Sequence, residues 1–476
     1  MIFQVLQRAS FSRFDMHVFD PTILREYDIR GVVGETLTPA DAYALGLALG
    51  TVARRNDGRT ACVGRDGRLS SPVLQDELTR GLTECGLNVT QIGCGPTPML
   101  YFAQKMLDAD VAVAVTGSHN PPDHNGFKIV LHGRPFFGSQ IQELAVIARD
   151  GRYASGQGRI SDQSLLDAYI ARLLADWDGG ERALTIVWDA GNGAAGEAMQ
   201  HLTRALPGRH ILLYPDIDGR FPNHHPDPTD PETLHDLIAA VRTEKADLGI
   251  AFDGDGDRIG VVDDSGRILY GDQILQLLSE DLLLQQPGAT IIADVKTSQS
   301  VFDSIAAMGG NPIMWKTGHS LIKTKMAETG AALAGEMSGH VFFADRYYGY
   351  DDALYAAIRM IGVVARLGEP LSHRMARLPK TFSTPELRLD CPDARKFSVI
   401  AAVRQRLIEA KVEINDIDGV RVKREEGWWL LRASNTQPAL IARVEATNAP
   451  NLGRLFDEMA AHLLHCGIVV PEKMRP

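Results

Sequence analysis

Asp253-Gly254-Asp255-Gly256-Asp257-Arg258 sets three carboxylates at alternate positions with glycine between them. Six carboxylate oxygens in five residues can fold around one hard divalent cation, and without a cation they repel one another. The apolar run Leu248–Phe252 just before it reads as a buried strand, which favours a metal loop over a solvated acidic turn. An EF-hand loop is excluded: its sixth position is Arg258 where Gly is required, and its twelfth is Asp264 where Glu is required.

Three other stretches carry reactive groups. Thr116-Gly117-Ser118-His119-Asn120-Pro121-Pro122 follows the apolar run Val111–Val115, so Ser118 sits at the carboxyl end of a strand, where open α/β sheets bind ligands. His119 could activate Ser118 or simply pack beside it, and G-x-S-x-G is not matched. Lys128 offers a cation or a proton carrier. In Gly335-Glu336-Met337-Ser338-Gly339-His340, the residues Glu336, Ser338 and His340 alternate and would share one face of an extended segment, a set suited to a polyol. In Arg432-Ala433-Ser434-Asn435-Thr436-Gln437-Pro438, a guanidinium fork joins three short polar side chains. That is an inventory for phosphate without a Walker A loop, and it is equally good turn chemistry.

One motif is a decoy. Gly191-Asn192-Gly193-Ala194-Ala195-Gly196 matches G-x-G-x-x-G between a strand and a helix. The acidic ribose partner should end a second strand, yet Asp216 and Asp218 fall in an irregular stretch. The glycines are read as tight strand–helix packing.

The elements that must position these groups alternate. Thr60–Val63, Val89–Ile92 and Val111–Val115 are strand-like, and Ser71–Cys85 and Thr97–Leu107 have helical spacing between them. Strands at Leu184–Asp189, Asp247–Phe252, Thr290–Asp294 and Ala331–Ala334 continue the rhythm, with a helix expected over Lys296–Ala306. After Leu371–Pro385 the texture changes to strands at Arg421–Glu425, Trp428–Arg432 and Ala439–Ala446, flanked by helices at Arg395–Ala410 and Asn451–His465. The spacing predicts repeated α/β units followed by a smaller α+β domain.

Composition narrows the class. The 476 residues are 45% hydrophobic and 23% charged, ordinary globular values, with a net charge of −11. An acidic surface argues against nucleic acid or an anionic membrane as partner. No apolar run reaches the length of a membrane span. Five cysteines without a C-x-x-C pair argue against a disulfide framework or structural zinc and fit a reducing cytoplasm.

Taken in order, TGSHNPPDHNGFK, DGDGDR, GEMSGH and RASNTQP resemble the α-D-phosphohexomutase superfamily, and within it the bacterial phosphomannomutase/phosphoglucomutase branch. REYDIRG (25–31), PNHHPDP (222–228) and WKTGHSLIK (315–323) extend the resemblance from about Phe19 onward. It implies an α/β protein of three related mixed-sheet domains and a C-terminal α+β lid around a central cleft. The expected bounds are an N-terminal tail 1–18 and domains 19–164, 165–267, 268–380 and 381–476.

The resemblance also implies roles. Ser118 would carry the phosphoryl group, and Asp253, Asp255 and Asp257 would bind Mg²⁺ with an oxygen of that phosphate. Lys128 and His340 would be acid/base candidates and Arg258 a catalytic cation. Glu336 and Ser338 would read sugar hydroxyls, while Arg432, Ser434, Asn435 and Thr436 would hold the resting phosphate. Tyr27, Arg30, Lys296 and His319 match further substrate-binding positions. The implied reaction moves phosphate between positions 1 and 6 of mannose and glucose phosphates through a hexose 1,6-bisphosphate, in a cytoplasmic monomer or weak dimer.

The alternatives are a phosphoglucosamine mutase, which Met337 disfavours, an Asp-nucleophile phosphatase, and a sugar-phosphate sensor without catalysis. Removing residues 1–15 is expected to leave activity intact; an inactive truncated chain would refute that.

Overall fold

Val111–Val115 is buried at every position, as a strand must be when both faces of its sheet are covered. It runs parallel to Thr60–Arg65 and antiparallel to His124–Leu131. Asn88–Cys94 and Ile160–Asp162 extend the sheet on one side, and Ile29–Val32 extends it on the other. Helices Pro39–Arg55 and Ser71–Glu84 pack against each other beside it, the first opened by a reciprocal Thr38–Asp41 capping box. Their approach depends on glycine. A Cβ on Gly46 would lie 2.3 Å from the Leu78 carbonyl oxygen, and one on Gly81 would lie 2.5 Å from that of Tyr43.

This computed structural model describes residues 15–180, 182–435 and 437–476, so most of the expected tail (residues 1–14) and Thr436 lie outside the described residues. The chain forms two compact units. The first runs to Ile268 and also includes Tyr350–Ala365. Its second sheet places Gly208–Leu213, Leu184–Asp189 and Leu248–Phe252 in parallel, with Ile259–Asp263 antiparallel to the last. The buried segment around Ala353 completes this unit: Tyr169 donates to both Asp352 oxygens at 3.0 Å, and the Ala353 N–H donates to the Gly256 carbonyl at 3.4 Å.

The second unit comprises Leu269–Gly349 and Arg366–Pro476. One sheet sets Asn311–Trp315, Thr290–Asp294 and Leu333–Gly335 in parallel and adds Val341–Phe343 antiparallel. The other is antiparallel throughout: Val420–Arg424, Gly427–Ala433 and Ala439–Ala446 in series, then Leu387–Asp390 and Phe382–Ser383 on the last strand. Helices Asp393–Glu409 and Ala449–His465 bury Val403, Leu407, Leu455 and Met459 against Trp429 and Leu431. Three mixed α/β sheets and a C-terminal α+β domain are the architecture the sequence implied. No helix among the described residues is long and apolar enough to cross a membrane.

Two local expectations change. The helix expected from Lys296 begins at Gln299, because the Ser298 side chain caps it by accepting the Ser300 N–H, which leaves Lys296 in the preceding turn. Glu336–His340 is not extended either. The Glu336 N–H donates to the His340 carbonyl and Gly339 takes φ +86°, closing a tight hairpin turn. The turn, not strand alternation, gathers its side chains.

Gly46→Val is expected to destabilise the first unit by about 1–3 kcal/mol through overpacking. A urea titration should show the lowered midpoint; an unchanged midpoint would mean the helices have room to spare.

Candidate active site

The chain leaves the sheet at Phe252 and returns at Ile259, so the acidic motif is a turn between antiparallel strands. Asp253 Oδ1 accepts the N–H groups of Asp257 and Arg258 at 3.0 and 3.1 Å, folding the loop over its first residue. All three carboxylates are fully buried, with oxygens within 4.8 Å of one another. Thr97 Oγ1 donates to Asp255 Oδ2 at 2.5 Å, and Lys128 Nζ reaches the same oxygen at 2.6 Å and Asp257 Oδ2 at 2.5 Å. Asp255 Oδ1 is buried with no hydrogen-bond partner among the described residues.

Electrostatics follows from this crowding. Burial first, then Asp255 and Asp257, pushes the Asp253 carboxyl well above the usual carboxylate range, although Arg258 and Lys128 oppose it. Burial alone would pull Lys128 down; the three aspartates outweigh it and hold the amine as ammonium. A buried all-oxygen donor set with one orphaned oxygen and a destabilised carboxylate fits a hard divalent cation.

The serine loop abuts this loop. A Cβ on Gly254 would fall 2.4 Å from the Ser118 carbonyl oxygen, so glycine is required for the two loops to meet. Ser118 is 1% exposed, takes φ +50°, and donates from Oγ to Asp253 Oδ2 at 3.1 Å. His119 Nδ1 lies 3.3 Å from the same Oγ. Burial, then Arg258, Arg30 and Lys128, holds the His119 imidazole well below its usual range, so it stays neutral. Arg30 donates to Asn120 Oδ1 at 2.8 Å and to Asp28 Oδ2 at 2.5 Å, which ties the strand Ile29–Val32 to the loop. Tyr27 lies half-buried just before that strand.

The remaining candidates lie in the second unit. Glu336 Oε1 accepts the Gly318 N–H at 2.7 Å. His340 Nδ1 is 3.1 Å from Glu336 Oε2 and 2.9 Å from Ser338 Oγ, and its ring stacks on His319 at 5.6 Å. Burial would raise Glu336, but His340, the Gly318 N–H and Lys296 outweigh it and keep it ionised. Lys296 Nζ pairs with Glu386 at 2.9 Å and draws that carboxyl down to about 2. Burial lifts neighbouring Asp294 to about 6 despite Lys296.

The backbone around Lys296 is held from the C-terminal sheet. Arg421 donates to the carbonyls of Val295 and Thr297 at 2.8 and 3.1 Å, and Arg443 donates to that of Lys296 at 2.6 Å. Arg432 Nε donates to Asp418 Oδ2 at 2.9 Å, the oxygen that also accepts the Thr317 N–H at 3.0 Å. Ser434 and Asn435 occupy the turn between Gly427–Ala433 and Ala439–Ala446, where Ser434 Oγ accepts the Gln437 N–H at 3.1 Å.

Thus Ser118, Lys128, Arg258, Arg30, Tyr27 and the aspartates belong to the first unit, and Lys296, His319, Glu336, Ser338, His340, Arg432, Ser434 and Asn435 to the second. Sequence reading missed Thr97, Asp418, Glu386, Asp66 and Arg68. Thr97 reaches a partner 158 positions away, and nothing local announces that. Asp66 and Arg68 had a signal, an Arg-Asp-Gly-Arg turn straight after a strand. The glycine decoy is packing: a Cβ on Gly196 would lie 2.1 Å from the Pro215 carbonyl oxygen, and one on Gly193 3.0 Å from that of Gly254.

Comparison with known proteins bears on the family and the fold. Residues 21–155, 167–266 and 270–382 match the family domains described as phosphoglucomutase/phosphomannomutase, alpha/beta/alpha domains I, II and III, and residues 386–462 match the C-terminal domain. A Pseudomonas aeruginosa protein named phosphomannomutase/phosphoglucomutase is 46% identical over 91% of this chain and 94% of its own. A Neisseria gonorrhoeae phosphoglucomutase is 43% identical over 92% and 96%. The crystal structure of a Burkholderia thailandensis phosphoglucomutase/phosphomannomutase family protein superposes with a TM-score of 0.89 at 44% identity, covering 94% of this chain and 98% of that one.

Because Asp253 holds its proton above the usual carboxylate range, a divalent cation must displace that proton to bind. Calorimetric titration with Mg²⁺ or Mn²⁺ should show affinity falling as pH is lowered, and Asp255→Asn should weaken it by roughly 10–100-fold. PH-independent affinity, or full affinity in the variant, would exclude this loop as the cation site.

Proposed function

The chain belongs to the phosphoglucomutase/phosphomannomutase family, and from that premise we propose that it moves phosphate between O1 and O6 of glucose and mannose phosphates, with Ser118 as carrier. The observation that carries this is the Ser118 hydroxyl, buried and 3.1 Å from a carboxylate of the acidic cluster.

Phosphoryl transfer needs alignment and charge neutralisation more than covalent assistance. Ser118 begins as phosphoserine. Its P–Oγ bond breaks as a P–O bond forms to the free hydroxyl of the bound sugar phosphate; that hydroxyl's proton passes to His340, and Ser118 Oγ takes one from Lys128. The resulting hexose 1,6-bisphosphate turns end for end, and Ser118 Oγ takes back the other phosphate. A Mg²⁺ ion held by Asp253, Asp255 and Asp257 supplies charge neutralisation at the phosphoryl oxygens when bound.

The chain's own groups do the rest. Lys128, kept as ammonium, donates a proton and a positive charge beside Ser118, and Arg258 adds a second cation. His340 is oriented through Nδ1 by Glu336 and Ser338, which makes Nε2 the atom that exchanges a proton. Glu336 and Ser338 read sugar hydroxyls. Arg432, squared by Asp418, holds the unreacting phosphate together with Ser434, Asn435 and Thr436. Lys296, His319, Tyr27 and Arg30 complete the binding set. Five free cysteines support a reducing, cytoplasmic setting.

The alternatives lose ground. Relatives at 43–46% identity are named for mannose or glucose phosphates, not for glucosamine phosphate. Asp253 accepts a hydrogen bond from Ser118, whereas a phosphatase would use the aspartate itself as nucleophile. The full polar set around Ser118 argues against a sensor without chemistry.

Ser118→Ala should lower turnover of glucose 1-phosphate and mannose 1-phosphate by at least about 10⁴-fold, yet leave their binding within roughly threefold by calorimetry. Glucosamine 1-phosphate should be the poorest of the three substrates for the unaltered chain. Substantial residual turnover in the variant would overturn the carrier role.

A further inference from the structure

The serine loop has a holder that none of these roles uses. Arg68 is 1% exposed and lies in the turn after strand Thr60–Arg65. A guanidinium has five N–H donors, and here the fork is fully engaged. Nε donates to Asp66 Oδ2 at 3.1 Å. Nη2 donates to the carbonyls of Ser118 and Asn120 at 2.7 and 2.6 Å, and Nη1 to those of His124 at 3.0 Å and of Pro121. Four of these five acceptors are main-chain oxygens of the segment 118–124.

The guanidinium is itself fixed from behind. Asp66 Oδ1 accepts the Arg68 N–H at 3.0 Å and the Ser71 hydroxyl at 2.5 Å, and Oδ2 also accepts the Gly117 N–H at 3.1 Å. The Phe221 ring covers the cation, its centroid 5.1 Å away. Gly117 belongs to the same fit, since a Cβ there would stand 2.5 Å from Arg68 Cζ and Nε.

This clamp bears on chemistry through one bond. Ser118 sits at φ +50°, where a side chain is disfavoured unless its surroundings impose the conformation. Its carbonyl is held by Arg68 and its N–H by Thr116 Oγ1 at 2.8 Å, so both ends of the residue are pinned while Oγ faces Asp253. Phosphorylation adds about −1.5 to −2 charge to that residue. The cation beneath the loop opposes its displacement toward solvent.

We propose that Arg68 is the positioning residue of the phosphoryl-carrying loop: it holds the Ser118 peptide so that the Oγ–P bond stays aligned for transfer, and it touches neither sugar nor phosphate. Lysine is no substitute, because a single nitrogen with three donors cannot span four carbonyls. The proposal rests on Ser118 being the carrier.

The test uses the full chain with Arg68→Lys and Arg68→Met, and with Phe221→Ala, which wets the guanidinium but keeps it. Melting temperature, kcat and KM for glucose 1-phosphate are measured, with covalent phosphate by intact mass after incubation with glucose 1,6-bisphosphate. The Arg68 variants should lose about 100-fold in kcat per folded molecule with KM nearly constant, and Phe221→Ala roughly fivefold. Wild-type kcat in Arg68→Lys, or a loss that only mirrors the folded fraction, overturns the proposal. If neither Arg68 variant folds, Phe221→Ala decides: lower kcat at unchanged KM and melting temperature supports the clamp, and unchanged kcat overturns it. A wild-type chain that acquires no covalent phosphate overturns the Ser118 reading instead, which separates the two failures.

Discussion

Three carboxylates with no solvent exposure, with oxygens within 4.8 Å of one another, carry a large electrostatic cost. Taking an ion out of water costs several kcal/mol even after a protein relaxes around it, and like charges add repulsion. The surroundings answer that cost one group at a time. Backbone N–H groups of Asp257 and Arg258 turn inward onto Asp253, Thr97 reaches Asp255, and Lys128 spans Asp255 and Asp257. The Ser118 hydroxyl donates into the same cluster. Ser118 is thus one of the groups that makes the buried charge tolerable, and its placement and the acidic loop share one electrostatic problem.

A common piece of backbone carries all four sequence motifs. Residues 116–123, 253–258, 336–340 and 434–438 each link a strand to its antiparallel neighbour in the same sheet. A short return between paired strands fixes both ends of a loop by ladder hydrogen bonds. The described side chains at these tips therefore start from an anchored backbone, which is what preorganised charge stabilisation demands. The C-terminal sheet uses the same device although it is antiparallel throughout and unlike the other three.

Much of this was legible in the residues. Apolar runs ending in polar, glycine-rich turns announced Ser118 and the three aspartates, because burial and turn chemistry are both local signals. The reading of Glu336–His340 as extended failed on one residue: Gly339 at φ +86° reverses the chain, and alternation does not reveal a reversal. The start of the helix after Lys296 was misplaced because Ser298 caps it, and several nearby residues could have served as the cap. Thr97, Asp418 and Glu386 were out of reach for another reason. Each acts through a partner that only tertiary packing brings near, and no short window of sequence encodes that packing.

The contribution of Tyr350–Ala365 to the first unit bears on biosynthesis. The Gly256 carbonyl, inside the acidic loop, waits for the Ala353 N–H, and Tyr169 waits for Asp352. A ribosome must therefore extrude the whole of Leu269–Gly349 before the loop made much earlier gains its last support. Until then the nascent chain exposes an unfinished apolar socket where Leu354 and its neighbours will lodge, a natural target for chaperones that shield emerging polypeptides.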